Sequence, residues 1–235
     1  MNKHNLSFEV IRVASSLRER RRESGCLYLA FHKPYRVLSC FTDPEGRPTL
    51  ADYIPVPGVY AAGRLDYDSE GLMILSNDGW LVHHLTHPRY QHPKTYLVQV
   101  ERIPDEDALE ALRQGVLVKG RRTRPVEVEL LSGVNEPQLP PRSVPIRHRL
   151  NVPTAWLRVA LREGHKRQLR HMTAAVGHPV LRLVRVGIGP IQLGDLPPGR
   201  WRELTSEELA ALSAMLRWTN GRSRRPRLAK VPKRE

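Results

Sequence analysis

Residues 63–71 read GRLDYDSEG, a stretch that crowds one arginine and three carboxylates, Arg64, Asp66, Asp68 and Glu70, into seven positions. Carboxylates this close repel one another unless a cation, a ligand or a reaction engages them. Two kinds of chemistry suit them. One is attack by a single carboxylate on an electron-poor carbon. The other is a glycosidase pair, in which Asp66 and either Asp68 or Glu70 would stand about 5 Å apart across a sugar. A third reading needs no chemistry: an acidic turn between two strands, solvated as most charge clusters are. Gly63 and Gly71 permit tight turns or a close backbone approach under all three.

A reactive loop has to be displayed on a rigid frame. Residues 59–62 and 72–76 read as strands on either side of it, and Asn77-Asp78-Gly79 as a turn leading into a helix over 80–86. Upstream, CLYLAF at 26–31 reads as a buried strand that stops before Pro34, because proline cannot donate to a ladder. An extended piece at 37–41, a turn at DPEGRP and a short helix at 50–53 capped by Thr49 follow. Downstream, KTYLVQVE at 94–101 alternates, with Tyr96, Val98 and Val100 on one face. An amphipathic helix spans 105–114, and strands at 116–118 and 126–131 flank the basic turn 119–124. Residues 132–153, with five prolines, read as a loop or insertion. A strand at 155–161 leads into HKRQLRHMTAAVGHP, a basic helix ended by Gly177. Strands at 180–186 and 188–193 precede a last helix over 206–216, where Thr205 and Glu208 have the spacing of a capping box. Many strands mixed with short helices, without strict βαβ alternation, predict an α+β fold: a largely antiparallel central sheet with flanking helices.

The 38 Lys and Arg against 24 Asp and Glu leave a net charge of +14, which points to a polyanionic partner, nucleic acid before membrane. Residues 217–235 hold +7 of that charge and residues 1–25 hold +3, so the ends read as a disordered basic tail and a loosely ordered basic arm. The domain between them is expected at 26–216. No apolar run reaches the roughly 18 residues of a spanning helix, and the N-terminus lacks a signal-peptide core, so a cytoplasmic location is expected. Cys26 and Cys40 stand apart from any metal-ligand spacing and read as inert core or strand residues. His83 and His87 have helical spacing, yet no carboxylate or cysteine completes a metal set. Only 6% aromatic residues and the positive charge argue against a sugar-binding glycosidase. A non-catalytic RNA-binding protein would account for the charge but leaves the acidic loop unexplained.

The whole string GRLDYDSEGL followed by MILSNDG, with KTY and EGHKRQLRHM later in fixed order, resembles the pseudouridine synthases, in the branch that acts on ribosomal RNA. The resemblance spans about residues 26–211. It implies that Asp66 is the essential catalytic carboxylate, that Tyr96 stacks on a flipped base, that Arg170 pairs with Asp66, and that Leu183 walls the base site. It also implies 23S ribosomal RNA as the partner, in a structured hairpin or an assembling large subunit. Neither cofactor nor metal is expected, nor a membrane partner, and the chain is expected to act as a monomer. Twenty-five residues ahead of the first strand are too few for the separate RNA-binding module found in many relatives. Phosphate contacts are expected from Arg64, Lys94 and Arg167, beside the basic helix and turns. His165 and His171 stand where such proteins usually carry lysine or arginine.

Overall fold

The structure, a computed structural model, describes residues 16–146, 149 and 151–222. In chain order these form α1 (Leu17–Ser24), β1 (Tyr28–Lys33), β2 (Tyr60–Ala61), β3 (Glu70–Ser76), α2 (Gly79–Thr86), β4 (Lys94–Glu101) and α3 (Glu106–Gln114). There follow β5 (Leu117–Val118), β6 (Arg121–Arg122), β7 (Glu127–Leu131), β8 (Thr154–Leu161), α4 (Gln168–Ala175), β9 (Val180–Ile188), β10 (Ile191–Gln192), β11 (Trp201–Glu203) and α5 (Ser206–Arg222).

Nine of these strands make one sheet, ordered β11-β1-β3-β9-β4-β8-β7, with β2 added to β3 and β10 to β9. Every pairing is antiparallel except β3 with β9, whose register sets Glu70 against Val184 and Gly71 against Arg185. The α+β reading, with its largely antiparallel sheet and flanking helices, is thus the architecture found.

Residues 28–31 of β1 and 72–75 of β3 are unbroken apolar runs because both of their faces are covered. Leu29, Phe31, Met73 and Leu75 join one cluster with Tyr96, Val98, Val100, Leu157 and Leu183. Their neighbours Tyr28, Ala30, Leu72 and Ile74 face a second cluster closed by Leu209, Leu212 and Leu216 of α5. β8, nearer the sheet edge, alternates buried and more open residues, as a strand with one wet face must.

Several local expectations need correction. Over residues 17–24 the arm is no loose segment: Ser16 and Glu19 form a capping box, and Leu17 is buried with its amide on Ser213 Oγ at 3.0 Å. Arg18 Nε donates to Ser206 O at 2.6 Å and Arg21 Nη1 to Leu204 O at 3.0 Å. One leucine and arginines bound to carbonyls and, for Arg20, to Asp78 at 3.3 Å hold this helix, and neither makes an apolar period. At the other end α5 runs through Arg222, past the expected stop at 216. Residues 1–15 and 223–235, where the rest of the arm and tail were expected, lie outside the described residues. The basic turn folds back on itself as the β5–β6 hairpin, with Lys119 and Gly120 both at positive φ (50° and 77°). β9 is one strand through residue 188, and the chain turns at Gly189-Pro190 into β10. Residues 37–41 make bends and loop bonds where an extended piece was expected. Cys26 and Cys40 are free; Cys40 is exposed and belongs to a cleft wall, not the core.

Candidate active site

The acidic loop joins β2 to β3 and is pinned at both ends. Before it, Ala62 N donates to Ile74 O at 2.7 Å, and buried Leu65 is locked to Ser39 by N–H to Oγ (3.0 Å) and Oγ–H to carbonyl (2.7 Å). After it, Glu70 is buried and accepts a fork from Arg182, Nε to Oε1 at 3.0 Å and Nη2 to Oε2 at 2.8 Å. The same Arg182 reaches Pro140 O at 2.9 Å, tying the proline-rich loop to this corner. Between the pins the chain turns tightly, with Ser69 N on Asp66 O at 3.0 Å and Arg36 N on Tyr67 O at 2.9 Å. Asp66 is left half-buried at the crest.

Asp66 opens into a cleft of about 940 Å³. Tyr96 and Leu183, on the adjacent strands β4 and β9, line it, and so do Arg64, Lys94 and Arg167. Six of the seven residues expected to form a site therefore face one cavity. Arg170 is the exception: it is not among the lining residues.

The expected Arg170–Asp66 pair is not formed; Arg170 meets Asp68. Its Nη2 donates to Asp68 O at 2.6 Å and stands 3.4 Å from Asp68 Oδ2. Arg167 completes the grip with two bonds, Nη1 to Oδ1 at 2.8 Å and Nη2 to Oδ2 at 2.9 Å. Burial works against the Asp68 carboxylate, but the Arg167 fork and the charge of Arg170 outweigh it and hold its pKa below the ordinary aspartate value. Arg170 is itself shifted down, by burial first, with Asp68 opposing. Arg167 reaches Asp68 because it precedes α4 in a left-handed conformation (φ 56°), so the helix starts at Gln168, three residues later than its sequence suggests. His165 N instead caps onto Gln168 Oε1 at 3.0 Å.

With Asp68 and Glu70 both held by arginine forks, Asp66 is the carboxylate of this loop that, among the described residues, has no hydrogen-bond or ion-pair partner for its side chain. That removes the second free carboxylate a retaining glycosidase would require. The cleft also carries cations that meet no counter-ion among the described residues. Lys94 is pushed down to about 8 by burial and then by the charge of Arg185, and among the described residues no carboxylate meets its ammonium. His92 is lowered to about 4 by burial, and its Nε2–H donates to His84 O at 3.0 Å. Beneath the loop, fully buried Lys33 donates to Pro34 O (2.9 Å) and Val37 O (2.8 Å), and burial lowers it to about 7 against the pull of Glu70.

Sequence reasoning passed over the Arg182–Glu70 fork, the locking role of Asp68 and the cleft residue Arg185. The available signal was a pair of arginines inside the apolar run VLRLVRVGI, since a charge buried in a strand must find a partner. His83 and His87 do not gather ligands: their rings pack with Tyr90, and no cluster of three metal-binding side chains exists among the described residues. No helix of these residues is long and apolar enough to cross a membrane.

The profile of the family described as RNA pseudouridylate synthase matches residues 27–175. A protein of Vibrio parahaemolyticus, "Ribosomal large subunit pseudouridine synthase E", is 54% identical over 176 residues, covering 75% of this chain and 73% of its own. A Xanthomonas campestris protein of the same name is 53% identical over 178 residues, covering 75% and 94%. Among solved structures, one described as a pseudouridylate synthase superposes with a TM-score of 0.67 at 28% identity, over 80% of this chain and 74% of that one. The loop, its cleft and these likenesses together make the chain a member of the RNA pseudouridine synthase family, and so an isomerase.

Proposed function

We propose that this protein converts a uridine of 23S ribosomal RNA to pseudouridine, with Asp66 as the nucleophile acting on a nucleotide flipped into the cleft. The observation that carries the reading is the isolation of Asp66: its neighbours Asp68 and Glu70 are consumed by arginines, and it alone of the three faces a cleft lined by Tyr96 and Leu183. Support for the substrate comes from the names of the Vibrio and Xanthomonas relatives described above, each more than 50% identical.

The reaction is an isomerisation. The bond from ribose C1′ to uracil N1 breaks, the base turns, C1′ bonds to C5, the C5 proton leaves and N1 gains one, so nothing is oxidised or reduced. A carboxylate at Asp66 can form a transient bond either to C1′ or to C6 of the ring. Tyr96, at 9% exposure, offers its ring to the base, where stacking contributes about 1 to 3 kcal/mol, and Leu183 closes the other side. Arg170 acts on Asp66 through Asp68: by gripping the Asp68 backbone it fixes the turn from which Asp66 projects. Arg64, Lys94 and Arg167 meet phosphates at the rim, which positions RNA without reading its sequence. Arg167 would exchange part of its Asp68 fork to do so.

Flipping a base is least costly in loops and mismatches, so the target uridine sits in a structured hairpin, free or within an assembling large subunit. The catalytic domain is residues 26–216, and the basic segment 217–235 adds affinity that is blind to sequence. The protein acts as a cytoplasmic monomer.

Asp66→Asn should abolish pseudouridine formation while RNA affinity stays within about threefold, because one neutralised carboxylate barely alters the phosphate contacts. Mapping pseudouridine in a 23S transcript after incubation with purified variant and wild type checks this. Turnover by Asp66→Asn would rule out the proposed nucleophile.

A further inference from the structure

Arg185 is 2% exposed and is among the largest fully buried side chains of the molecule, yet it belongs to the wall of the cleft that holds Asp66. Among the described residues its guanidinium pairs with no carboxylate. Nε donates to Leu72 O at 2.7 Å and Nη1 to Arg64 O at 3.5 Å. These two carbonyls stand at opposite ends of the segment carrying Asp66, so a single planar group bridges its entry and its exit. The backbone agrees: Arg185 is the register partner of Gly71 on one side and of Tyr96 on the other. Nη2 is buried and has no partner among the described residues.

A guanidinium kept for stability alone would use its donors. A buried cation with an unsatisfied nitrogen is costly, and apolar replacements of such groups are often neutral or stabilising. What this group gains in return is a bridge between two carbonyls on either side of Asp66. We propose that Arg185 is a positioning residue of the isomerisation: by tying Arg64 O to Leu72 O it fixes the loop so that the Asp66 carboxylate stands at the reacting carbon. It acts through Asp66 and does not contribute to RNA affinity. This rests on Asp66 being the nucleophile.

The test compares Arg185→Met with wild type by three measurements: single-turnover rate at saturating 23S transcript, RNA Kd, and hydrogen exchange without RNA at the Ser69 amide, which is bonded to Asp66 O. The expected result is a rate lowered about 100-fold, the scale of a 1 Å misplacement of a reacting group. Kd should stay within about threefold, Ser69 should exchange at least about tenfold faster, and Tm should move by no more than about 3 °C. An unchanged rate, a Kd weakened tenfold with the rate intact, or a large fall in Tm would each overturn the proposal. If Arg185→Met does not fold, Arg185→Lys carries the test, because an ammonium can reach one carbonyl but not bridge two; failure of both to fold makes Arg185 a purely structural residue and refutes the inference. The exchange measurement needs no RNA, so a wrong substrate or nucleophile, seen as inactive wild type or active Asp66→Asn, is distinguishable from a wrong role for Arg185.

Discussion

Gly71→Ala should cripple the protein by prying apart the one parallel junction of the sheet. Gly71 has φ +108°, and a Cβ built there would lie 2.6 Å from Arg185 N and closer still to Arg185 O. Both obstacles are backbone, which no rotamer change can clear. The forbidden dihedral costs about 1 to 3 kcal/mol, and forcing β3 away from β9 to make room costs roughly 1 to 3 kcal/mol more, as overpacking does. A sum of about 2 to 6 kcal/mol is a large share of the 5 to 15 kcal/mol that stabilises a typical domain. At about 2 to 4 °C per kcal/mol for a chain of this size, Tm should fall by roughly 5 to 20 °C. Gly46→Ala is the matched control: its φ is also positive (+70°), but no atom lies within 4 Å of the added Cβ. Strain alone acts there, at about 1 to 3 kcal/mol, so Tm should fall by about 2 to 12 °C and by clearly less than in Gly71→Ala. Thermal unfolding followed by circular dichroism, on both variants in one buffer, decides the matter. Equal shifts for the two variants would refute the argument, because they would leave no role for the close approach of β3 and β9.

Stability should rise with pH between about 7 and 10: burial lowers Lys33 to about 7 and Lys94 to about 8, below the 10.5 of an unfolded lysine, so in that window the unfolded chain binds protons the folded chain does not. The gain stops near pH 10, where Tyr28, held protonated by burial and then by Asp78, begins to ionise in the unfolded chain only. Urea unfolding at pH 6.5 and 9.5 should show the rise, and Lys33→Met should remove the larger part of it; a flat wild-type profile would contradict the burial argument. On the proposed stacking of Tyr96 against a flipped base, Tyr96→Phe should retain stacking and most RNA affinity, whereas Tyr96→Ala should lose about 1 to 3 kcal/mol of binding. Rates and Kd on the same transcript separate the two, and equal behaviour would show that the ring does not touch the base.

What the sequence disclosed follows from what is local. The apolar runs of β1 and β3, the alternation that puts Tyr96 with Val98 and Val100, and the Thr205–Glu208 capping box are each written in a few consecutive residues. The box forms as read, with Thr205 N on Glu208 Oε2 at 2.8 Å and Glu208 N on Thr205 Oγ1 at 3.2 Å. What stayed hidden is pairing across distance. Asp66 and Asp68 differ by two positions, and which of them meets an arginine about a hundred residues later is decided by the turn at Asp66–Ser69 and the left-handed Arg167, neither of which leaves a hydrophobic pattern. Helix α1 carries a local signal, the Ser16–Glu19 capping box, but no apolar period follows it, and its anchors are arginines bound to carbonyls almost two hundred residues away.

The bridge from Arg185 to Leu72 and Arg64 spans 113 and 121 residues of sequence. A ring closed over so long a chain is entropically slow to form, and it closes only after β9 has been laid beside β3. The aspartate is made early on the ribosome, but its setting is not complete until the strand that supports it has been synthesised and placed. On the proposed roles of Asp66 and Arg185, a partly made chain therefore carries the aspartate without the geometry that would make it reactive, and competence arrives with the closing of the sheet.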